Sequence, residues 1–392
     1  MLRYLTAGES HGPALVAVVE GMPAGVPVDA AAIDQDLARR QSGYGRGGRM
    51  KIEQDRVRIL SGVRHGKTLG SPVTLMVENR DWVNWTAVMS PEPVPPDADP
   101  RMAQKVRTRP RPGHADLVGA LKYGHTDLRN VLERASARET TMRVAAGSLA
   151  KQLLAPFGIT VVGHVRSIGP VEAHLPPDLS AAEIRERAEA SPVRCADPEA
   201  SARMVEEIDA AKRDGDSLGG VVEVIATGLP PGLGSHVQYD RKVEYALGGA
   251  LLSIQAAKGV EFGPAFANAA LRGSQVHDEI AWSPERGYYR RSNRAGGLEG
   301  GMTTGMDLVA RVAFKPISTL YRPLATVELG THQEALAQVE RSDTCAIPAA
   351  AVIAECVTAF ELARFMVEKF GGDSLEEMLR NYRAYMEEVA RR

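Results

Sequence analysis

The sequence predicts an α+β chain built from two related halves, and three observations carry that reading. Stretches with strand and helix patterning interleave along the 392 residues. A Gly/Pro turn following an apolar strand occurs twice, as EGMPAGV with Gly21, Pro23 and Gly25, and as TGLPPGL with Gly228, Pro230 and Gly232. Further on, and in the same order, GKTLG with Gly66, Thr68 and Gly70 is matched by GMTTG with Gly301, Thr303 and Gly305, each leading into a strand. These echoes predict one domain over residues 1–392 with an internal duplication, roughly 1–155 and 215–392, and a functional site where the halves meet.

The elements follow in order. Ala14 to Glu20 (ALVAVVE) reads as a buried strand, and after a Gly/Pro turn Asp29 is placed to cap a helix running to about Arg40. RVRIL and SPVTLMVE read as strands, and MSPEPVPPDADPR, rich in proline and acid, as an exposed loop. ARETTMRVAAGSLAKQLLAPFG has helical apolar spacing and stops near Pro156 and Gly158, and the strand ITVVGHVRSI follows. Residues 180–213 read as two polar, peripheral helices. VVEVIATG returns to strand, Asp240 to Lys258 to helix, and Ile347 to Val389 to two helices broken at Gly371 and Gly372.

Composition narrows the class of function. A chain 44% hydrophobic buries a substantial core, and Cys195, Cys345 and Cys356 lack the CxxC or Cys/His spacing of a metal site or disulfide framework. A reducing, cytoplasmic setting fits best, since no secretory leader or membrane-length apolar run is present. With 47 Lys and Arg against 49 Asp and Glu, no global field draws in a polyanion. Locally, RRQSGYGRGGR (Arg39 to Arg49) holds four arginines and no acid, and VRTRPRPGH supplies Arg107, Arg109 and Arg111 just before His114. Guanidinium forks match phosphate and carboxylate, so the expected guest is a small multivalent anion.

Several motifs point to chemistry at such an anion. His11 sits in GESHG between Gly8 and Gly12, and His114 in RPGHAD beside Gly113. Two imidazoles near several arginines would make a phosphate pocket with acid catalysis available. In ERASARET, Arg134, Ser136 and Arg138 alternate, so an extended backbone would put them on one face with room over Ala135 and Ala137 for something flat. A helix starting near Glu139 would add its positive end. SNRAGGLEGGMTTG precedes a strand that ends at KPISTL, where Lys315, Ser318 and Thr319 can grip a phosphate, although the glycines fit neither a Walker loop nor a Rossmann fingerprint. ERSDTC brings Arg341 beside Asp343 before the helix at Ile347, as an anion ligand with a base or as a simple helix cap.

GESHG, RPGHAD, SARET followed by RVAAG, AGGLEGGMTTG, KPIST and RSDTC occur together and in this order in the chorismate synthase family, which the chain resembles from about Arg3 to about residue 370. The resemblance implies a β-α-β sandwich with antiparallel sheets, and a lyase of the shikimate pathway. That lyase makes chorismate and phosphate from 5-enolpyruvylshikimate 3-phosphate by anti 1,4-elimination. It implies reduced FMN without net redox change, an electron-rich flavin assisting C–O cleavage and receiving the C6 proton at N5. NADPH enters only indirectly, to regenerate reduced flavin.

Carried over by position, the resemblance makes His11 the acid near the departing phosphate, places His114 by flavin N1, and lets Asp343 assist proton removal. Arg40, Arg46, Arg49, Arg111, Ser136, Arg138 and Arg341 become substrate ligands. Flavin contacts fall on Arg134, Ala135, Ser136, Gln255, Ala256, Gly300, Lys315, Pro316, Ile317, Ser318, Thr319 and Arg341, with Arg40 and Arg46 also associated with the nicotinamide nucleotide. ERASAR stands where many relatives have GGRSSAR, so Ala135 lacks a hydroxyl. The family is usually homotetrameric, and with no segment for a flavin reductase a monofunctional enzyme supplied by an external reductase is expected. Two other classes remain distinguishable: an RNA-binding module using the RGG-like run and Tyr44, opposed by 5% aromatics and balanced charge, and a flavin oxidoreductase consuming NADPH stoichiometrically.

Overall fold

A computed structural model of the chain describes residues 1–47, 54–95, 99–340 and 342–392. Its first sheet contains β1 (Arg3–Ala7), β2 (Ala14–Glu20), β3 (Val57–Ser61) and β4 (Val73–Glu78), all antiparallel in the order β1-β2-β4-β3. The second contains β5 (Thr160–Ile168), β6 (Val171–Glu172), β7 (Gly220–Thr227), β8 (Ala257–Phe262) and β9 (Leu308–Phe314), in the order β8-β9-β7-β5-β6. Without the short edge strand β6, the two sheets have the same connectivity: β1, β2, β3 and β4 occupy the places of β5, β7, β8 and β9.

Among the described residues the helices of seven residues or more are α1 (Ala30–Gln41), α2 (Asp116–Tyr123), α3 (Arg129–Ala135), α4 (Thr140–Leu154), α5 (Ala181–Ala190), α6 (Pro198–Arg213), α7 (Val243–Leu252), α8 (Ile347–Phe370) and α9 (Leu375–Arg391). α4 packs on β2 and β4, α8 packs on β5 and β7, and the two helices pack on each other, giving a sheet–helix–helix–sheet sandwich. α1 and α7 take matching positions beside α4 and α8. Period-two patterning explains the strands: in β2, Leu15, Ala17 and Val19 are buried against the helices while Val16 and Val18 are only half-buried, so the strand is covered fully on one face alone. Asp29 caps α1 as expected, accepting from Ala31 N at 2.8 Å.

The recurring turns are built from identical bonds. Thr68 Oγ1 accepts from Val26 N at 2.9 Å and donates to Pro23 O at 2.5 Å. Thr303 Oγ1 accepts from Leu233 N at 2.9 Å and donates to Pro230 O at 2.6 Å.

Two local expectations are corrected. The helix drawn over Asp240 to Lys258 ends at Leu252, because Ala256 takes a left-handed φ of 68° and Ala257 begins pairing with Phe314. Sheet pairing overrides the helical pattern there. Of the two helices in 180–213, α6 is not peripheral: it sends Ala200, Met204 and Ile208 into the main core, whereas α5 covers the far face of the second sheet with Ile184 and Ala188.

Candidate active site

The GESHG loop joins β1 to β2, and glycine is required at its start: Gly8 has φ +105°, and a Cβ there would lie 2.4 Å from Ala14 O. The loop is gripped from α3. Ser10 N donates to Glu133 O at 3.0 Å, His11 N donates to Glu133 Oε2 at 2.9 Å, and His11 Nδ1 lies 2.9 Å from both Glu133 oxygens. Arg129 Nη1 donates to Glu133 at 2.7 Å. Burial acts to raise the Glu133 carboxyl, but His11 and Arg129 outweigh it and hold it below its ordinary range. The imidazole of His11 stacks on Trp85, with ring centroids 3.8 Å apart.

The segment after Glu133 is not extended. Arg134 and Ala135 end α3, Ser136 alone is extended, and Ala137–Glu139 form a 3₁₀ turn capped by the Ser136 side chain. Arg134, Ser136 and Arg138 therefore diverge rather than share a face. Arg138 turns inward, donating to Asn79 Oδ1 at 2.9 and 3.1 Å and to Asp55 at 2.7 Å. Arg40 lies beside it, donating to Thr140 Oγ1 and Ala137 O and standing 3.8 Å from Asp55. Ser136 Oγ donates to Ser10 Oγ at 3.2 Å, and Asn79 Nδ2 donates to Gly12 O at 2.7 Å, so this cluster reaches the histidine loop.

Arg134 runs the other way. It donates to Thr6 Oγ1, Thr6 O and Gly8 O; Thr6 Oγ1 donates to Glu139 at 2.8 Å, and Gln255 Nε2 donates to the same carboxylate at 3.2 Å. Ala256 O then accepts from Lys315 N at 3.0 Å. Arg134, Gln255, Ala256 and Lys315 thus lie along one continuous path of contacts drawn from both halves.

His114 occupies a second cluster. Its Nδ1 is 2.5 Å from Asp116 Oδ1, and Asp116 also accepts from Arg111 N and from Arg111 Nε at 2.8 Å. Burial pushes the Asp116 carboxyl up, yet His114 and Arg111 hold it well below the usual carboxylate range. Arg111 Nη1 donates to Thr319 Oγ1 at 2.9 Å, which ties RPGHAD to KPIST. Pro112, Gly113 and Lys315–Ser318 line a cavity of about 290 Å³ together with Asp216 and Ser217. Burial and the nearby Lys258 depress the Lys315 ammonium, and among the described residues no carboxylate pairs with it. Gln255 Oε1 is buried without a partner among the described residues. An unpaired cation in a cavity and an unsatisfied buried amide fit a bound anionic, hydrogen-bonding cofactor.

In a third cluster, Asp343 accepts from Gly47 N at 2.6 Å and pairs with Arg46 at 2.9 Å. It is not the cap of α8, whose N-cap position is Ala346. No hydrogen bond or ion pair among the described residues joins His11, His114 and Asp343 directly. Glu340 accepts from Arg107 at 2.6 Å and faces Arg129 of the His11 cluster at 3.8 Å. Gly300 stands apart in the turn of a hairpin (Leu298–Glu299 with Met302–Thr303) whose strand Met302–Thr303 bonds to the TGLPPGL turn. Arg49 and Arg341 lie outside the described residues.

The family model described as chorismate synthase matches residues 2–367. The chain belongs to the chorismate synthase family. It is 78% identical over 391 residues to the chorismate synthase of Symbiobacterium thermophilum, all of both chains being covered. It is 61% identical over 389 residues to that of Desulforudis audaxviator, covering 99% of this chain and 98% of the relative. A crystal structure of chorismate synthase superimposes with a TM-score of 0.80 at 42% identity, covering 100% of this chain and 99% of the other. The α+β sandwich seen here is therefore the fold of the chorismate synthase family.

Sequence reasoning overlooked the acids and the amide that organise the cationic residues. Glu133, Asp116, Asp55 and Asn79 hold His11, His114, Arg138 and Arg40, and Trp85 covers His11. Glu133 and Asp116 stand inside the motifs ERASARET and RPGHAD; for Asp116 the histidine two residues before it was a signal, whereas Glu133 lies 122 positions from His11. Asp55, Asn79 and Trp85 gave none, being ordinary residues at the edges of strands and in a loop. Arg40, Arg46, Arg111 and Arg138, expected to await an anion, already have internal carboxylates, which relieves the repulsion of clustering before any ligand binds.

No helix of the described residues is long and apolar enough to cross a membrane, and all three cysteines are buried thiols.

Proposed function

We propose that the chain converts 5-enolpyruvylshikimate 3-phosphate to chorismate and phosphate at the seam between its two halves, with reduced FMN bound there. The observation that carries this reading is the pair of histidine–carboxylate–arginine clusters, His11–Glu133–Arg129 and His114–Asp116–Arg111, which combine proton donation with anion binding. His11 donates a proton to the departing phosphate, so that the leaving group departs as a weaker base. Arg40, Arg46, Arg49, Arg111, Arg138 and Arg341, with Ser136, hold the phosphate and the two carboxylates of the substrate, and Asp343 assists removal of the C6 proton.

Arg134, Ala135, Ser136, Gln255, Ala256, Gly300, Lys315, Pro316, Ile317, Ser318, Thr319 and Arg341 would hold the flavin, and His114 would balance the charge of its reduced ring. When bound, the reduced flavin supplies transient electron density for C–O cleavage. The ammonium of Lys315 meets an anionic group, and the fixed RPGHAD–KPIST contact keeps the pocket shaped around it. NADPH acts only through an external reductase, and the working form is a cytoplasmic homotetramer. The matched sheet connectivity and matched threonine bonds support descent of the halves from one duplicated unit.

The test is anaerobic incubation of the chain with dithionite-reduced FMN and the phosphorylated substrate, following chorismate absorbance. Turnover that vanishes with oxidised FMN and falls about a hundredfold or more in His11→Ala and His114→Ala is expected. Full activity without flavin, or in either variant, overturns the assignment it concerns.

A further inference from the structure

One buried carboxylate, that of Glu133, meets both the backbone N–H and the ring Nδ1 of His11. The Glu133 side chain is 2% exposed and the His11 side chain 18% exposed. Glu133 receives the His11 backbone N–H, lies within 2.9 Å of Nδ1 through both oxygens, and through its own carbonyl receives the Ser10 N–H. Arg129, buried as well, anchors the carboxylate at 2.7 Å. With Nδ1 turned into this carboxylate, Nε2 is the nitrogen left to exchange a proton.

We propose that Glu133 is a positioning residue for the reaction: it fixes the tautomer and orientation of His11, so that Nε2 is the nitrogen that delivers the proton. The inference rests on the reading of His11 as the acid, but its physical core, the coupling of the two side chains, is separable from turnover.

The contacts around the ring leave Glu133 as its acceptor. Lys105, whose ammonium stands 4.2 Å over the Trp85 ring, and Arg129, 5.1 Å from the same ring, bring only donors to the tryptophan on which His11 stacks. Glu340 stands behind Arg129 at 3.8 Å, Asp81 holds the Trp85 indole N–H at 2.9 Å, and Glu9 lies on the same loop as His11. Among the described residues only Glu133 is hydrogen-bonded to the ring, so exchanging its carboxylate for an amide of the same shape removes the pure acceptor that fixes Nδ1–H.

The experiment uses the full chain and two variants, Glu133→Gln, which keeps size and hydrogen-bonding capacity, and Glu133→Asp, which keeps charge. Histidine-selective NMR follows the ring, with the His11 resonance assigned by its loss in His11→Ala. In Glu133→Gln the neutral His11 ring is expected to lose its single tautomer, its two ring nitrogen shifts moving towards each other, and in Glu133→Asp they stay near those of the parent. With reduced flavin and substrate, kcat in Glu133→Gln falls roughly tenfold to a hundredfold with KM little changed. In a His11→Ala background the same substitution costs nothing further. Unmoved His11 ring nitrogen shifts in Glu133→Gln overturn the coupling whatever the activity. Shifted ring resonances in a chain whose His11→Ala variant turns over at full rate overturn the role in the reaction and sink the acid assignment with it.

Discussion

Glu355 carries the largest structural prediction. It lies on α8 with no solvent exposure and receives two bonds from Arg39 on α1, at 2.9 and 3.0 Å, a bond from Lys151 on α4, and the Gly163 N–H of β5 at 2.8 Å. One carboxylate thereby joins both sheets' helices across the seam. Replacing it with alanine strands buried cations, which costs about 3–5 kcal/mol where a buried pair is broken. Arg39 keeps Asp36 and Glu189, and Lys151 keeps Asp36, which argues for the low end of that range; the orphaned Gly163 N–H adds to it. We expect about 3–4 kcal/mol. At about 2.1 cal/mol/K per residue, a chain of this length has an unfolding entropy near 0.8 kcal/mol/K, so Glu355→Ala lowers Tm by about 4–5 °C.

Burial would raise the Glu355 carboxyl, but Lys151 and Arg39 hold it well below the usual carboxylate range. A depressed folded value gives stability that is complete above the ordinary carboxylate range and drains away as pH falls below it. The parent should therefore lose more stability between neutral pH and acid than Glu355→Ala does. Circular dichroism melts over a pH series read both effects. A variant melting within 1 °C of the parent, or losing stability in parallel with it on acidification, refutes the reasoning.

The other predictions bear on the site and the frame. Asp116→Asn removes the charge that orients His114 and clamps Arg111, so kcat with reduced flavin should fall about tenfold or more while the fold persists; an unchanged rate removes Asp116 from the site. Thr68→Val and Thr303→Val each delete one accepted and one donated bond in matching turns, so urea midpoints should report losses of about 1–3 kcal/mol that agree within about 1 kcal/mol. Unequal costs would show that the turns are alike only in outline. Gly147→Ala would place a Cβ 2.2 Å from Cys356 O where α4 crosses α8, so we expect a loss near 3 kcal/mol and poor soluble yield, against parent-like melting if the helices can part.

Legibility in the sequence followed the range of the forces involved. Asp29, the α5–α6 pair and the break at Gly371 and Gly372 were readable because caps, periodicity and glycine act within a few residues. Where α7 ends was not readable, because the pairing of β8 with β9 decides it, and β9 lies about fifty residues further on. The same division runs through the site. GESHG, RPGHAD and KPIST announce themselves by glycine, histidine and lysine, whereas Asp55 becomes meaningful only when folding sets it 2.7 Å from Arg138, a residue 83 positions away. An extended reading of ERASARET failed for the same reason: Arg134 and Arg138 are pulled to opposite sides by Thr6 of β1 and by Asn79, the residue after β4.

The pairings across the seam explain why the site belongs to the whole chain and to neither half. Glu139 of the first half takes Gln255 of the second, Arg111 takes Thr319, Arg46 takes Asp343 and Arg107 takes Glu340. Each is a polar contact of modest worth, and none could hold two sandwich layers in register alone. The rigid frame comes instead from α4 packed on α8 around Gly147 and from the buried Glu355 network, both within the apolar interior. A displacement of one layer by an ångström would leave the core largely packed but would break distances of 2.6 to 2.9 Å at Asp343 and Thr319 together. Catalytic geometry is thus more sensitive to the angle between the halves than stability is. On that ground Glu355→Ala should lower turnover at temperatures well below its own melting transition, a loss that simple unfolding cannot supply.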